Sequence, residues 1–190
     1  GEELGMTNAH YNDISQYRDV ESLNYYKILL DQGKTKEQAL KVLAARSRDN
    51  SRTPMQWSDD KNAGFTEGTP WIEAPENYKE INAETELKDP DSIYSFYKKL
   101  IALRKEKDII AEGTIEFLEK ENADVLAYRR NYQGEELIVL NNLTAENVTI
   151  RQQPEWKAYQ KRLGNYEKIT AEDGKITLRP FETIVLDSAL

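Results

Sequence analysis

The sequence predicts an α+β chain in which helices and long loops come first and an all-β antiparallel sandwich follows. Three observations carry that reading. Apolar residues recur at helical spacing in 19–47 and again in 93–103. Residues 48–82 are rich in proline, glycine and aromatics. From Ile109 onward the apolar period becomes two.

The elements follow in order. Val20, Leu23, Tyr26 and Leu30 lie at helical spacing, and Gly33 is a suitable C-terminal stop. Thr35-Lys36-Glu37-Gln38 is a capping box, in which the threonine hydroxyl and the glutamine satisfy orphan amides of a second helix. Ala39, Leu40, Leu43 and Ala44 form its apolar stripe. The segment 48–82 holds Pro54, Gly64, Gly68, Pro70 and Pro75 beside Trp57, Phe65 and Trp71. A flexible linker lacks such anchors, so this is a long loop folded onto a surface. Asp89 and Pro90 read as the N-cap and first turn of a further helix. Its stripe, Ile93, Phe96, Tyr97, Leu100, Ile101 and Leu103, predicts a buried helix ending near Lys107.

Strands are expected at 114–119, 124–132, 136–143, 146–151, 157–163, 175–179 and 182–187. Asn131-Tyr132-Gln133-Gly134 and Asp173-Gly174 are hairpin turn candidates. The division between the two parts is placed at 1–107 and 108–190.

Composition limits the function classes. Over 190 residues, Lys and Arg number 26 against 34 Asp and Glu, a net charge of −8. That disfavours general binding to nucleic acid or anionic membranes. No apolar run approaches the length of a membrane span, and no leader-like segment is present. Zero cysteines remove disulfides, thiolate catalysis and cysteine-ligated zinc, and fit a cytoplasmic protein. One histidine, His10, excludes a multi-histidine metal site, and no metal or cofactor is expected. The chain begins with Gly1 and reads as a piece of something larger.

The densest polar cluster is Arg46-Ser47-Arg48-Asp49-Asn50-Ser51-Arg52. A guanidinium is a planar fork of donors that suits carboxylates, phosphates or vicinal hydroxyls. Two readings stand: a structural loop tied by arginine–aspartate pairs, or a sugar pocket with flat aromatic faces beside directional donors. Glu2 and Glu3 are adjacent on what reads as an extended segment, where neighbouring side chains point to opposite faces, so they are read as structural.

The run Ser47-Arg48-Asp49-Asn50-Ser51-Arg52-Thr53-Pro54-Met55-Gln56-Trp57 is followed by Asn62-Ala63-Gly64-Phe65-Thr66 and Gly68-Thr69-Pro70-Trp71-Ile72. With Gly1-Glu2-Glu3-Leu4-Gly5-Met6-Thr7-Asn8 and Tyr17-Arg18-Asp19-Val20-Glu21-Ser22-Leu23-Asn24, this resembles the α-glucosidase branch of the α-amylase superfamily. The branch holds oligo-1,6-glucosidases, dextran glucosidases and trehalose-6-phosphate hydrolases.

The resemblance implies that residues 1–107 are the truncated end of a (β/α)8 barrel and 108–190 its C-terminal sandwich. It implies a retaining glycosidase whose reaction needs a carboxylate pair roughly 5 Å apart. The family's catalytic carboxylates lie on earlier segments and none maps here, so the chain alone is expected to be inactive and no catalytic residue is assigned. The first arginine of the family's motif falls on Arg48, which is expected to bind the hydroxyls of a terminal glucose. Arg52 is the second substrate-binding candidate, as a brace or a rim residue, and Asp49 is an orienting partner. Ser47, Ser51 and His10 lean toward the trehalose-6-phosphate hydrolases, with Arg46, His10 or Lys61 available to a phosphate. The oligo-1,6-glucosidase reading stays open.

Two other readings stay open. Tyr128, Tyr132, Trp156, Tyr159 and Tyr166 would serve a carbohydrate-binding module if exposed in a row. In the helical half, Leu23, Tyr26, Leu30, Leu40, Leu43 and Trp57 are expected to face water, the rest of a barrel or another copy of the chain. The expected partners are therefore a small sugar and either the remaining barrel or a second copy.

Overall fold

A computed structural model describes residues 1–188, and the chain divides into two compact units, Gly1–Tyr97 and Lys98–Leu190. The helix Ile93–Glu106 runs across that division.

In the first unit, α1 (Val20–Asp31) and α2 (Lys36–Arg46) form the expected helical pair. The Asp19 carboxylate caps α1 by accepting the Ser22 amide, and Gly33 ends the segment with a φ of 83°. Thr35 and Gln38 make both halves of the capping box at α2. Ala39 and Leu43 of α2 pack with Tyr26 and Leu29 of α1, under Ala9, Tyr11, Tyr17 and Ile72. Tyr11 and Tyr17 meet edge to face, their centroids 5.3 Å apart.

This core corrects one expectation. Tyr26 and Leu43 are buried, and Leu23, Leu30 and Leu40 are partly buried against the same cluster. The segment before α1 and the loop around Ile72 cover them. Trp57 does remain exposed, and so do Val20, Tyr25 and Ile28 on the other side of α1.

The long loop contains the short 3-10 turns Arg48–Ser51, Lys61–Gly64 and Glu76–Lys79. Asn62, Ala63 and Gly64 all take left-handed backbone, with φ of 55°, 59° and 66°. The Asn62 side-chain amide donates to the carbonyls of Thr66 and Gly68, and the Ala63 carbonyl accepts the Trp57 and Ser58 amides. Those bonds hold a conformation that alanine adopts only under constraint. A short helix, α3 (Ala83–Lys88), follows, which periodicity did not reveal.

The next helix, α4 (Ile93–Glu106), starts later than expected. Asp89 accepts the Asp91 amide in a turn instead of capping the helix. Ser92 takes over, its hydroxyl accepting the Ser95 amide and donating to the Glu86 carbonyl. The second correction concerns burial: no residue of α4 is buried, and Ile93, Leu100 and Ile101 are exposed. A third concerns Ile109, which opens a helical turn, α5 (Ile109–Glu112), and not a strand.

The second unit is antiparallel throughout. Its strands are β1 (Thr114–Leu118), β2 (Val125–Tyr132), β3 (Glu135–Asn142), β4 (Val148–Arg151), β5 (Gln160–Gly164), β6 (Thr170–Glu172), β7 (Lys175–Leu178) and β8 (Thr183–Asp187). They form a five-stranded sheet, ordered β1-β2-β3-β8-β5, and a three-stranded sheet, ordered β4-β7-β6. Both expected hairpin turns are present. Gln133-Gly134 and Asp173-Gly174 each place two successive residues at positive φ, the two-residue turn whose twist matches paired strands.

Alternation decides what the sheets bury. Ala127, Leu140 and Ile184 sit opposite one another across β2, β3 and β8, as do Ile138 and Leu186. They meet Ile150, Ile176 and Leu178 of the smaller sheet in one core, which Trp156 joins from a 3-10 turn. Burying such side chains contributes ~1.5–3 kcal/mol each. None of Tyr128, Tyr132, Trp156, Tyr159 and Tyr166 is exposed, which removes the exposed aromatic row that a binding module needs. Trp156 is core, the Tyr159 hydroxyl donates to Glu136, and the Tyr166 ring lies under the Arg179 guanidinium at 4.0 Å.

Among the described residues, no helix is long and apolar enough to cross a membrane, and no group of three acidic or histidine side chains could hold a metal ion.

Candidate functional site

The arginine cluster is positioned where α2 ends. The Ser47 backbone leaves the helix with φ −61° and ψ 140°, and its hydroxyl accepts the Asp49 amide to start the 3-10 turn Arg48–Ser51. Asp49 points inward and is fully buried. Its Oδ2 accepts the Arg18 amide at 2.7 Å and the Asp19 amide at 2.9 Å. That ties the arginine turn to the residues that start α1. Asp49 is thus an orienting group, though it orients backbone more than guanidinium.

Asp19 completes the junction. Its Oδ2 accepts the Ser22 amide at 3.0 Å and the Ser22 hydroxyl at 2.8 Å, and the Ser22 and Ser47 hydroxyls are 2.9 Å apart. Burial pushes the Asp19 carboxyl up. The Ser22 hydroxyl and amide, with Arg48 and Arg52, outweigh that and hold it below its ordinary value. Asp19 is therefore a carboxylate at neutral pH, unsuited to giving a proton.

The two candidate arginines differ. Arg48 is exposed and reaches Glu21 at 3.0 Å. Exposed pairs of this kind hold little energy, so a ligand can compete for the guanidinium. Arg52 is held between two buried carboxylates, at 3.6 Å from Asp19 and 3.7 Å from Asp49. Arg46 and Arg48 line one cavity of about 350 Å³, with Glu21, Tyr25 and Ser47 also on its wall. With Arg48 paired to Glu21, Arg46 makes no ion pair among the described residues.

The other phosphate candidates lie elsewhere. His10 lines a cavity of about 260 Å³ with Tyr11, Gln16, Glu73 and Glu76. It also lines one of about 870 Å³ with Glu37 and Lys41. Burial, reinforced by Glu73 and Asp49, pushes the Tyr11 hydroxyl up to about 12, so it stays a donor and reaches the Glu73 carbonyl. Lys61 begins the 3-10 turn after Asp60 and lines none of these cavities.

Glu2 and Glu3 occupy a 3-10 turn, not an extended segment, and Glu2 accepts the Tyr97 hydroxyl at 2.6 Å. They make no paired acid and base. Sequence reasoning missed Glu21, Ser22 and Ser47 as partners of the arginine turn. The signal available was Asp19 three residues before Ser22, a capping pattern that places Glu21 in the first turn of a helix.

Comparisons with known proteins agree along the whole chain. A family model described as "Alpha amylase, catalytic domain" matches residues 1–113, and one for the "Alpha-amylase SusG C-terminal domain" matches 125–185. The trehalose-6-phosphate hydrolase of Bacillus subtilis is 47% identical over 97% of this chain, and that of Escherichia coli is 45% identical over 97%. An oligo-1,6-glucosidase of Bacillus cereus is 42% identical over 97%. The crystal structure of Bacillus licheniformis trehalose-6-phosphate hydrolase superposes with a TM-score of 0.92, at 46% identity over 98% of the chain. The chain spans about a third of the length of these relatives: 34% of the Bacillus subtilis protein and 33% of the Escherichia coli protein.

Proposed function

Because the chain belongs to the alpha-amylase catalytic-domain family, we propose that it is the C-terminal part of a retaining α-glucosidase that hydrolyses trehalose 6-phosphate to glucose and glucose 6-phosphate. The observation that carries the reading is the cavity shared by Arg46 and Arg48. Arg48 presents an exposed fork paired with surface-exposed Glu21, which suits the hydroxyls of a terminal glucose. Arg46 adds a second cation on the same wall, which suits a phosphorylated sugar. The similarity to trehalose-6-phosphate hydrolases supports that substrate. Arg52 serves as the second substrate-side arginine, held by Asp19 and Asp49 at the edge of the same turn.

A retaining mechanism needs a nucleophile and an acid/base on opposite sides of the scissile bond. In this reading those carboxylates belong to the rest of the enzyme, and this segment supplies binding and orientation. The isolated chain is therefore inactive. Residues 1–107 are the end of the barrel, 108–190 form its C-terminal sandwich, and the enzyme works in the cytoplasm. The exposed apolar side chains of α1 and α4 meet the remaining barrel, and the isolated chain self-associates through them; light scattering that shows a monomer at high concentration would count against this.

A second reading, an oligo-1,6-glucosidase, is supported by the 42% identity to the Bacillus cereus protein. The deciding experiment compares kcat/KM of the full-length enzyme on trehalose 6-phosphate and isomaltose, with Arg48→Ala alongside. The proposal expects a strong preference for the phosphorylated sugar. Loss of a charged donor to a buried hydroxyl should cost Arg48→Ala about 2–3 kcal/mol of transition-state binding, roughly 30- to 200-fold in kcat/KM. A preference for isomaltose moves the enzyme to the second reading. Normal activity of Arg48→Ala overturns the site.

A further inference from the structure

The Arg48 guanidinium is exposed, and its pair with Glu21 is exposed too. Such a pair does not hold a long side chain in one direction. Any defined aim must come from the backbone beneath it. Arg48 lies between Ser47 and Asp49, and Glu21 stands two residues after Asp19 and one before Ser22. Asp19, Ser22, Ser47 and Asp49 are joined by hydrogen bonds.

The bonds form a closed ring. The Asp49 amide donates to Ser47 Oγ at 3.2 Å, the Ser47 and Ser22 hydroxyls are 2.9 Å apart, and Ser22 Oγ lies 2.8 Å from Asp19 Oδ2. The Asp19 amide then donates to Asp49 Oδ2 at 2.9 Å. A hydroxyl carries one proton. A carboxylate can only accept, so the Ser22 proton goes to Asp19. The Ser47 proton must then supply the bond between the two serines. Donation runs one way from the Asp49 amide through the Ser47 and Ser22 hydroxyls to the Asp19 carboxylate, and along those two hydroxyls neighbouring bonds polarise one another. All four residues are buried.

We infer that the Ser22–Ser47 hydroxyl pair is a positioning device for Arg48, an inference that rests on the substrate-binding role proposed for that arginine. The pair fixes the first turn of α1 against the arginine turn and so sets the spacing between Glu21 and Arg48. A guanidinium fork discriminates sugar hydroxyls only when its base is held to a fraction of an ångström. Both serines also line the cavity, and the role inferred for them acts through Arg48.

The test uses the full-length enzyme with Ser47→Ala, Ser22→Ala and the double variant, each with and without Arg48→Ala. Steady-state KM and kcat are read on one substrate, and melting temperature reports folding. Each single serine variant should raise KM about tenfold while kcat changes less than about threefold. The double variant should raise KM by less than the product of the two single effects, because the Ser22–Ser47 bond is lost in each. In the Arg48→Ala background both effects should vanish. If Arg48→Ala is impaired while the serine effects persist undiminished beside it, or while neither serine variant moves KM, the inference alone is overturned. If Arg48→Ala is itself normal, the reading of Arg48 and the inference fail together. Should Ser47→Ala fail to fold, Ser22→Ala carries the same comparison.

Discussion

Replacing Asp49 by alanine tests the structural account of the arginine turn most directly. The carboxylate is fully buried and accepts two amides, those of Arg18 and Asp19. Alanine provides no acceptor, and the Asp19 amide lies in a buried environment. A buried donor left without a partner costs ~1–3 kcal/mol. The Arg18 amide is only partly buried, so water recovers some of its loss and its share is about 1 kcal/mol. Arg52 also loses one of two carboxylates, a contact at 3.7 Å that adds little. The sum is about 2–4 kcal/mol for Asp49→Ala. Asp49→Asn keeps a neutral acceptor and should lose about half as much. Urea unfolding gives the total. Amide hydrogen exchange gives the location, because Arg18 and Asp19 should lose protection while the β-strands of the second unit keep theirs. Wild-type protection at both amides in Asp49→Ala, or a loss under about 0.5 kcal/mol, would refute the reasoning.

Two further outcomes follow from single groups. Burial, with the Glu136 carboxylate accepting its hydroxyl proton, pushes the Tyr159 pKa up to about 12 from an ordinary 10.0. The folded state then holds that proton more tightly than the unfolded chain. Its stabilisation is complete below pH 10.0 and shrinks as pH rises toward about 12. The stability gap between wild type and Tyr159→Phe should narrow across that window, and a gap that widens would sink the assignment. Thr35→Ala removes half of the capping box at α2 and should cost about 1 kcal/mol in thermal unfolding.

The parts of the fold that were legible in sequence are those with a local cause. Thr35 and Gln38 act within one turn of chain, and Gln133-Gly134 and Asp173-Gly174 need only their own backbone. β6 was missed although its turn was recognised, because Thr170–Glu172 is short and exposed at every position, with no alternation to detect. A hairpin turn at Asp173-Gly174 nonetheless requires a strand before it as well as after it. The site followed the same division. Arg48 stood out by its company in sequence, whereas Glu21 reaches Arg48 and Ser22 reaches Ser47 where Asp49 binds the start of α1 across thirty residues of chain.

The helix α4 shows what periodicity measures. Its stripe of Ile93, Phe96, Tyr97, Leu100, Ile101 and Leu103 predicts an element with one apolar face, and the helix formed is such an element. Periodicity says nothing about what the face meets. Burial is a property of a pair of surfaces, and a sequence pattern describes one of them. The same reasoning separates the two helices of the first unit from α4. The partners of Tyr26 and Leu43 lie within the 190 residues, at Tyr11, Tyr17 and Ile72, so their stripes are covered. Ile93, Leu100 and Ile101 stay exposed among the described residues. An apolar face this consistent, left in contact with solvent, is disfavoured by ~25 cal/mol for each Å² that a partner would remove from water. That cost is what drives the docking of α4 in the enzyme proposed here.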